Sequence, residues 1–168
     1  PVIGLVKINY PEYDSYITPT MKEVDDLVAV GSDVVALDCT LRKRGDGTTI
    51  NEFIAQIREK YPDIILMADI SNYEEGINAW KCGVDIVGTT MSGYTDYTSK
   101  KDEPDYELMT RLAADIDIPV IGEGKIHYPD QAVKALQTGA WSIVVGGAIT
   151  RPLEIAQRFM KAIDEGVK

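Results

Sequence analysis

The chain has 168 residues, 45% of them hydrophobic, which is enough to bury one core and predicts a single domain over residues 1–168. Its formal net charge of -10 at pH 7 repels nucleic acid and anionic lipid, so neither is an expected partner. No apolar stretch approaches the roughly 18 residues of a membrane span, and nothing in the sequence resembles a signal peptide, so we expect a cytoplasmic protein.

Short apolar segments recur along the chain and alternate with amphipathic stretches. They lie at residues 2–7, 34–39, 64–69, 84–89, 118–123 and 142–147. Both faces of these segments look buried, which predicts strands of a parallel sheet covered by helices. One repeat averages roughly 28 residues, which suits an array of βα units.

The stretches between the strands place apolar side chains on one helical face. These faces carry Met21, Val24, Leu27 and Val28; Phe53, Ile54 and Ile57; Leu108, Met109 and Leu112; and Ile155, Phe159 and Ile163. Gly31, Gly83 and Gly139 each follow an amphipathic stretch and precede a strand, where a left-handed helix C-cap is expected.

Polar or glycine residues end nearly every predicted strand. They are Lys7, Asp38, Asp69, Thr89, Glu123, and Gly146 with Gly147. An open doubly wound sheet collects its ligand groups at one switch point, whereas a barrel collects them from most strands around one mouth. The pattern therefore favours an α/β fold of the (β/α)8 TIM-barrel type.

The chain is short for such a barrel, which typically has about 250 residues. The segment 1–4, PVIG, is repeated at 119–122, where it follows a complete helix. We therefore expect the chain to supply about six βα units, strands three to eight. The first two units would come from a missing N-terminal segment or from exchange within a homodimer.

Three strand-end residues are candidates for acid–base chemistry. Lys7 follows five apolar residues in six, and burial would disfavour its ammonium form, which makes a lysine usable as a base. Glu123 lies between two glycines, and Asp69 ends the strand predicted at 64–69. Carboxylates near Lys7 would oppose the effect of burial, so a neutral lysine needs either strong burial or a proton passed within the cluster. A solvent-facing Lys7 and a helix-capping Asp69 remain the structural alternatives.

The segment VVGGAITRP predicts an anion site after the last strand. Exposed N–H groups of Gly146 and Gly147, a helix start at Pro152 and the guanidinium of Arg151 are the groups that hold phosphate in barrels. Gly124 could supply the matching loop one strand earlier. A glycine-rich tight turn is the structural alternative.

Two further features of the sequence indicate a function less specifically, and its cysteines do not indicate a metal site. The loop TTMSGYTDYTS (89–99) could cover a sugar or be merely solvated, and His127 is best interpreted as an incidental surface residue. Cys39 and Cys82 are far apart and form no CxxC, so spacing provides no metal-ligand cluster and we expect no metal.

The segments GLVK, ITPTMKEVDDL, ALDCT, MADI, GTTMSGYTDYT, IGEGKI and VVGGAITRP closely resemble the N-acetylmannosamine-6-phosphate 2-epimerases of bacterial sialic acid breakdown. The resemblance covers essentially all 168 residues in order. It implies a phosphate-binding (β/α)8 barrel that interconverts N-acetylmannosamine 6-phosphate and N-acetylglucosamine 6-phosphate without a cofactor.

The resemblance also implies roles for individual residues. Lys7 would remove and return the proton at C2, with Glu123 as its acid/base partner, and Asp69 would bind the sugar hydroxyls or the acetamido group. The 6-phosphate would be held by Gly124, Gly146, Gly147 and Arg151. Family members begin with two further βα units, whose strand ends supply a glutamine and an arginine with no counterpart here.

Two other functions stay open at this point. One is a different phosphosugar barrel enzyme, although the metal site or Asp-Lys-Asp array of such barrels is not visible in the sequence. The other is a non-catalytic phosphosugar-binding remnant that kept the phosphate loop and lost turnover.

Overall fold

Six parallel strands form one sheet in the computed structural model, which describes residues 1–98, 100 and 102–167. The strands are β1 (Ile3–Gly4), β2 (Val34–Asp38), β3 (Ile65–Asp69), β4 (Ile86–Gly88), β5 (Val120–Gly122) and β6 (Ser142–Ile143). Their spatial order is their chain order, without the reversal that defines a doubly wound sheet. A strand lies within each of the six predicted segments, but the two outermost strands stop early, β1 at Gly4 and β6 at Ile143, and each of them pairs on one side only.

A helix follows each strand. The helices are α1 (Met21–Ala29), α2 (Ile50–Lys60), α3 (Tyr73–Lys81), α4 (Tyr106–Asp115), α5 (Pro129–Gln137), a short α6 (Gly147–Thr150) and α7 (Pro152–Gly166). Gly31, Gly83 and Gly139 adopt φ values of +80°, +83° and +94°, which confirms the predicted left-handed helix C-caps.

The core lies between the helices and the outer face of the sheet. The predicted faces of α1, α2 and α4 contribute to it, with Val24, Ile54 and Leu112 at 0% exposure. Val35, Leu37 and Leu66 pack against them from the strands, which are buried on both faces as parallel strands require. The second, smaller cluster lies on the inner face, around Ala36 and Met67.

Large apolar side chains are exposed at the two open edges of the sheet. At the β1 edge these are Val2, Ile3 and Leu5, and at the β6 edge they are Trp141, Leu153, Phe159, Met160 and Ile163. The helix predicted from Ile155, Phe159 and Ile163 is therefore present as α7, but its apolar face lies in solvent.

Candidate active site

A cavity of about 300 Å³ lies at the carboxyl ends of the strands. It is lined from four of the loops that follow strands: Lys7 and Tyr16; Thr90, Met91 and Tyr94; Glu123, Gly124, Lys125 and His127; and Gly146, Gly147, Arg151 and Glu154. The carboxyl ends of parallel strands meet at one edge, so residues far apart in sequence converge there. Six of the seven residues predicted for the site line this cavity, and Asp69 is the exception.

Lys7 lies at the cavity but not at a strand end. Strand β1 stops at Gly4, and Lys7 instead forms an isolated antiparallel bridge with Ile17 in the returning segment of the loop. Its side chain is exposed, so the expected burial is wrong for the residues that the structure describes. The cause is the position of β1 at an open edge, beyond which the described residues form no further strand of the sheet.

Glu123 follows β5 directly, and its backbone is fixed by a side chain of the neighbouring loop. Thr89 Oγ1 donates to the carbonyl oxygen of Glu123 at 2.9 Å and accepts from its N–H at 3.0 Å. The side chain of Thr90, the next residue, lies between two carboxyl groups: its Oγ1 is 2.6 Å from Asp69 Oδ1 and 3.2 Å from Glu123 Oε2.

Asp69 ends β3 and lies beneath Thr90, with 1% of its surface exposed. It does not cap α3, because Asn72 does so by accepting from the N–H of Glu75. The other oxygen, Oδ2, is buried and has no hydrogen-bond partner among the described residues. A buried carboxyl that lacks partners is costly to ionise.

Both carboxyl groups hold their protons more tightly than usual. Burial raises the pKa of Asp69 to about 8, the bond from Thr90 acts in the opposite direction, and the nearby Glu123 and Asp38 reinforce the rise. Burial also raises the pKa of Glu123, against the bond from Thr90 and the positive charge of Lys7. Two buried carboxyl groups with raised pKa values beside a lysine are typical of an acid–base site.

Asp38, at the end of β2, is held by structural contacts. Its carboxylate accepts from Arg42 at 2.6 Å and from the backbone and hydroxyl of Thr40 at 3.1 and 2.6 Å. The N–H of Tyr16 completes the set at 3.3 Å. With its oxygens occupied in this way, Asp38 supports the loops rather than the chemistry.

The loops after β5 and β6 give the cavity the features of an anion site. Gly124 has a φ of +95°, and an added Cβ would contact the carbonyl oxygens of Thr89 and Thr90 at 3.7 Å. Within the described residues, the backbone N–H groups of Gly124 and Gly146 donate to no other group. The helix predicted at Pro152 begins there as α7, and Arg151 precedes it.

The Arg151 guanidinium is paired with a carboxylate of the same helix. Its Nη1 donates to Glu154 Oε1 at 2.7 Å, and this bond raises the pKa of Arg151. Glu154 also lines the cavity. An incoming phosphate would therefore have to compete with Glu154 for the guanidinium of Arg151.

The sequence did not single out four other residues that line the cavity: Tyr16, Tyr94, Lys125 and Glu154. Lys125 has a φ of +60° and places its Nζ 5.2 Å from the ring centre of Tyr94. His127, interpreted as incidental, also lines the cavity, and its Nδ1 is buried with no partner among the residues that the structure describes. For Lys125 and His127 the available signal was their position after Gly124, and for Tyr94 it was the loop 89–99, whose last residue, Ser99, lies outside the described residues. Tyr16 and Glu154 had no such signal.

Two searches of the described residues add to this picture. No group of three or more His, Cys, Asp or Glu side chains in 1–98, 100 and 102–167 could hold a metal ion. Over the same residues, no helix has the length and apolar character needed to cross a bilayer.

The comparison that decides the family is with a family model described as "Putative N-acetylmannosamine-6-phosphate epimerase", which matches residues 1–165. The chain belongs to this family. Two relatives named "Putative N-acetylmannosamine-6-phosphate 2-epimerase" support the assignment. The one from Caldanaerobacter subterraneus subsp. tengcongensis is 54% identical over 98% of this chain and 70% of its own length. The one from Clostridioides difficile is 50% identical over 98% of this chain and 73% of its own length.

Solved structures agree with the family assignment. The N-acetylmannosamine-6-phosphate 2-epimerase from Clostridium perfringens superposes with a TM-score of 0.90 at 48% identity, over 96% of this chain and 69% of that one. A thiamine phosphate pyrophosphorylase from Pyrococcus furiosus, at a TM-score of 0.57 and 23% identity over 84% of this chain and 64% of that one, shares the fold alone. The six parallel strands thus form part of a barrel, as the sequence predicted.

Proposed function

We propose that the protein interconverts N-acetylmannosamine 6-phosphate and N-acetylglucosamine 6-phosphate by removing and returning the proton at C2. One observation carries this proposal: Lys7 and Glu123 line the same cavity as Gly146, Gly147 and Arg151. An acid–base pair and an anion site in one cavity are what a phosphosugar epimerase requires. The identity of the substrate is inferred from the family to which the chain belongs.

In this proposal Lys7 is the base. Its neutral amine takes the C2 proton of the ring-opened sugar, and the electron pair of the C–H bond moves towards the C1 aldehyde to give an enolate. C2 becomes planar, and return of a proton to either face gives one epimer or the other. The positive charge left on Lys7 stabilises the enolate oxygen.

Glu123 is proposed as the acid/base partner. Burial raises the pKa of Glu123, so it holds a proton more tightly than an ordinary glutamate and could supply it for ring opening or to the enolate oxygen. Asp69, which the resemblance assigns to the sugar hydroxyls or the acetamido group, lies beneath Thr90 and outside the cavity lining, so it would act on the sugar through Thr90. The 6-phosphate would be held by Arg151 and by backbone N–H groups of Gly124, Gly146 and Gly147.

The test is proton NMR of N-acetylmannosamine 6-phosphate in D2O, following loss of the C2 proton and appearance of the epimer. We expect exchange with the native protein, and loss of exchange in Lys7→Ala and Glu123→Gln. Lys81→Ala, an exposed lysine at the end of α3, is the matched control and should retain the rate. Saturable binding without any C2 exchange in the native protein would favour a non-catalytic phosphosugar-binding protein.

We further propose that two βα units cover the open edges and complete an eight-stranded barrel in which β1 to β6 are strands three to eight. The accessible surface is 9404 Å², against about 8,200 Å² expected for a compact monomer of this mass. The excess lies where parallel strand edges and the apolar face of α7 are uncovered. Such edges are avoided in stable proteins.

Phe159, 69% exposed on α7, tests this completion. Under a covering unit, Phe159→Asp in the native protein should lower the free energy of unfolding by about 3 kcal/mol or more. Lys161→Asp, two residues further along the same helix, is the matched surface control. Equal and small effects of both changes would show that the face stays in solvent, and rescue by dimer formation would identify a second copy as the cover.

A further inference from the structure

The threonine between the two carboxyl groups has a role that the proposed function does not yet include. Thr89 and Thr90 follow β4 and hold Glu123 in different ways. Thr89 binds only its backbone, whereas Thr90 contacts its carboxyl group and that of Asp69 through one hydroxyl oxygen. Gly88 makes room for this arrangement, because a Cβ there would lie 3.1 Å from Thr90 Oγ1 and 3.4 Å from Asp69 Oδ1.

The contact works only if the two carboxyl groups carry a proton between them. A threonine hydroxyl has one proton to donate, and its oxygen can accept. If Thr90 donates to Asp69, Glu123 must be protonated to donate to Thr90 Oγ1 across the 3.2 Å contact. If both groups were ionised, one carboxylate oxygen would face a lone pair of the hydroxyl.

We propose that Thr90 is a positioning residue that couples Asp69 and Glu123 into one acid/base unit holding a single proton. In one state Asp69 carries the proton and donates to Thr90, which donates to the Glu123 carboxylate. In the other state the Asp69 proton has passed to Thr90 Oγ1 while the hydroxyl proton of Thr90 has passed to Glu123. Neither charge nor the number of protons changes, so Asp69 stores the proton that Glu123 donates, and the unit regains a proton when Glu123 next accepts one in the reaction.

Charged neighbours set the balance between these two states. Lys7 favours an ionised carboxylate at both groups, and Asp38 disfavours one at Asp69. Asp38 is itself paired with Arg42 at 2.6 Å. The other titratable side chains around the cavity are Tyr16, Tyr94, Lys125, His127, Arg151 and Glu154.

The use of this unit in catalysis rests on the proposed function, whereas its geometry does not. The experiment therefore has one readout for the coupling of the carboxyl groups and a separate one for catalysis. Thr90→Val removes the hydroxyl at constant shape, and Thr90→Ser restores it. Thr95→Val is the matched control, a buried threonine of the same loop whose hydroxyl contacts that of Thr98 at 2.7 Å. The first readout is the infrared band of protonated carboxyl groups, titrated in the full-length protein without substrate.

We expect Thr90→Val to lower the pH at which this band disappears, because the two contacts of Thr90 require one proton on the pair and their loss makes that last proton easier to remove. Thr90→Ser and Thr95→Val should leave the titration unchanged. An unchanged band in Thr90→Val would overturn the proposal whether or not the protein is an epimerase.

The second readout is C2 exchange as a function of pH. We expect Thr90→Val to lower kcat at least about tenfold, since positioned acid–base groups contribute about 10²- to 10⁴-fold, with KM little changed. The pH optimum should move downward, because the pair loses its last proton at a lower pH, and Thr90→Ser should rescue both kcat and the optimum. A purely structural threonine would leave the pH optimum in place, and equal losses in Thr90→Val and Thr90→Ser would refute a role for the hydroxyl. Absence of exchange in the native protein would contradict the proposed function, while the infrared titration would still decide the coupling.

Discussion

Asp69 makes the stability of the protein depend on pH, and Asp69→Asn should remove that dependence. Its pKa is about 8 in the fold, whereas an aspartate in an unfolded chain has a pKa of about 3.9. Between these values the folded protein holds a proton that the unfolded chain has lost. Stability therefore falls as pH rises, by up to about 1.4 kcal/mol per pH unit.

The magnitude follows from the width of that window. From pH 5 to pH 8 the loss is up to about 4 kcal/mol. Asp69→Asn has no charge to bury, and its amide oxygen can still accept from Thr90 at the position of Oδ1. The variant should therefore gain stability over the native protein as pH rises, and the gain should level off once Asp69 ionises in the fold.

Urea unfolding at half-unit pH intervals from 5 to 9 measures this directly. We expect the difference in unfolding free energy between Asp69→Asn and the native protein to grow by about 2–4 kcal/mol between pH 5 and pH 8. Asp164→Asn, an exposed carboxylate on α7, controls for the loss of one negative charge. A difference that stays constant across the range would refute the assignment of a protonated, buried Asp69. The same variant should lose C2 exchange, so that stability and activity move in opposite directions.

Three further outcomes are expected. Glu154→Gln should bind inorganic phosphate about two- to fivefold more tightly by calorimetry, because an exposed ion pair is weak and Arg151 would no longer be shared; weaker binding would contradict an anion site there. Tyr97→Phe should lower the unfolding free energy by about 1–3 kcal/mol, since it removes a 2.5 Å bond to the buried carboxylate of Glu75; urea unfolding with no change would contradict this. Phe53→Ala, at 1% exposure, should cost about 3–5 kcal/mol in the same assay, and a cost below about 1 kcal/mol would contradict its place in the core.

The sequence predicted the strands well because parallel strands are buried on both faces and so appear as continuous apolar runs. Strand β2 shows this most clearly, as all five of its residues are buried. The apolar faces of the helices were predicted equally well, but two helices with the same apolar pattern differ in burial. Phe53 on α2 is 1% exposed and Phe159 on α7 is 69% exposed, because only α2 has a sheet beneath it in the described chain.

The candidate site was predictable to the extent that it depends on strand ends. Lys7, Glu123, Gly124 and Arg151 meet at one cavity because the ends of parallel strands converge. The sequence could not reveal how deeply each of the strand-end side chains is buried. Asp69 and Glu123 look equivalent as strand-end carboxylates, but one lies beneath Thr90 and the other lines the cavity.

Residues supplied by loops were missed for a related reason. Tyr16 comes to the cavity because the segment after β1 folds back, with the N–H of Ile8 donating to its carbonyl oxygen at 3.0 Å. Lys125 and Tyr94 meet across two loops. Such contacts depend on how loops pack against each other, and spacing along the chain carries no record of it.

Lys7 is exposed because β1 lies at an open edge of the sheet, and this links completion of the barrel to catalysis. Lys7 follows β1, whose outer side carries the exposed Val2, Ile3 and Leu5. A βα unit placed against that side would bury these three side chains and also exclude water from the amine. Loss of water disfavours an ammonium, whereas the carboxyl groups of Asp69 and Glu123 favour it when ionised. If a single proton is held between those carboxyl groups, as proposed, the opposing charge is halved, so a covered edge and a coupled carboxyl pair would together favour the role of base proposed for Lys7.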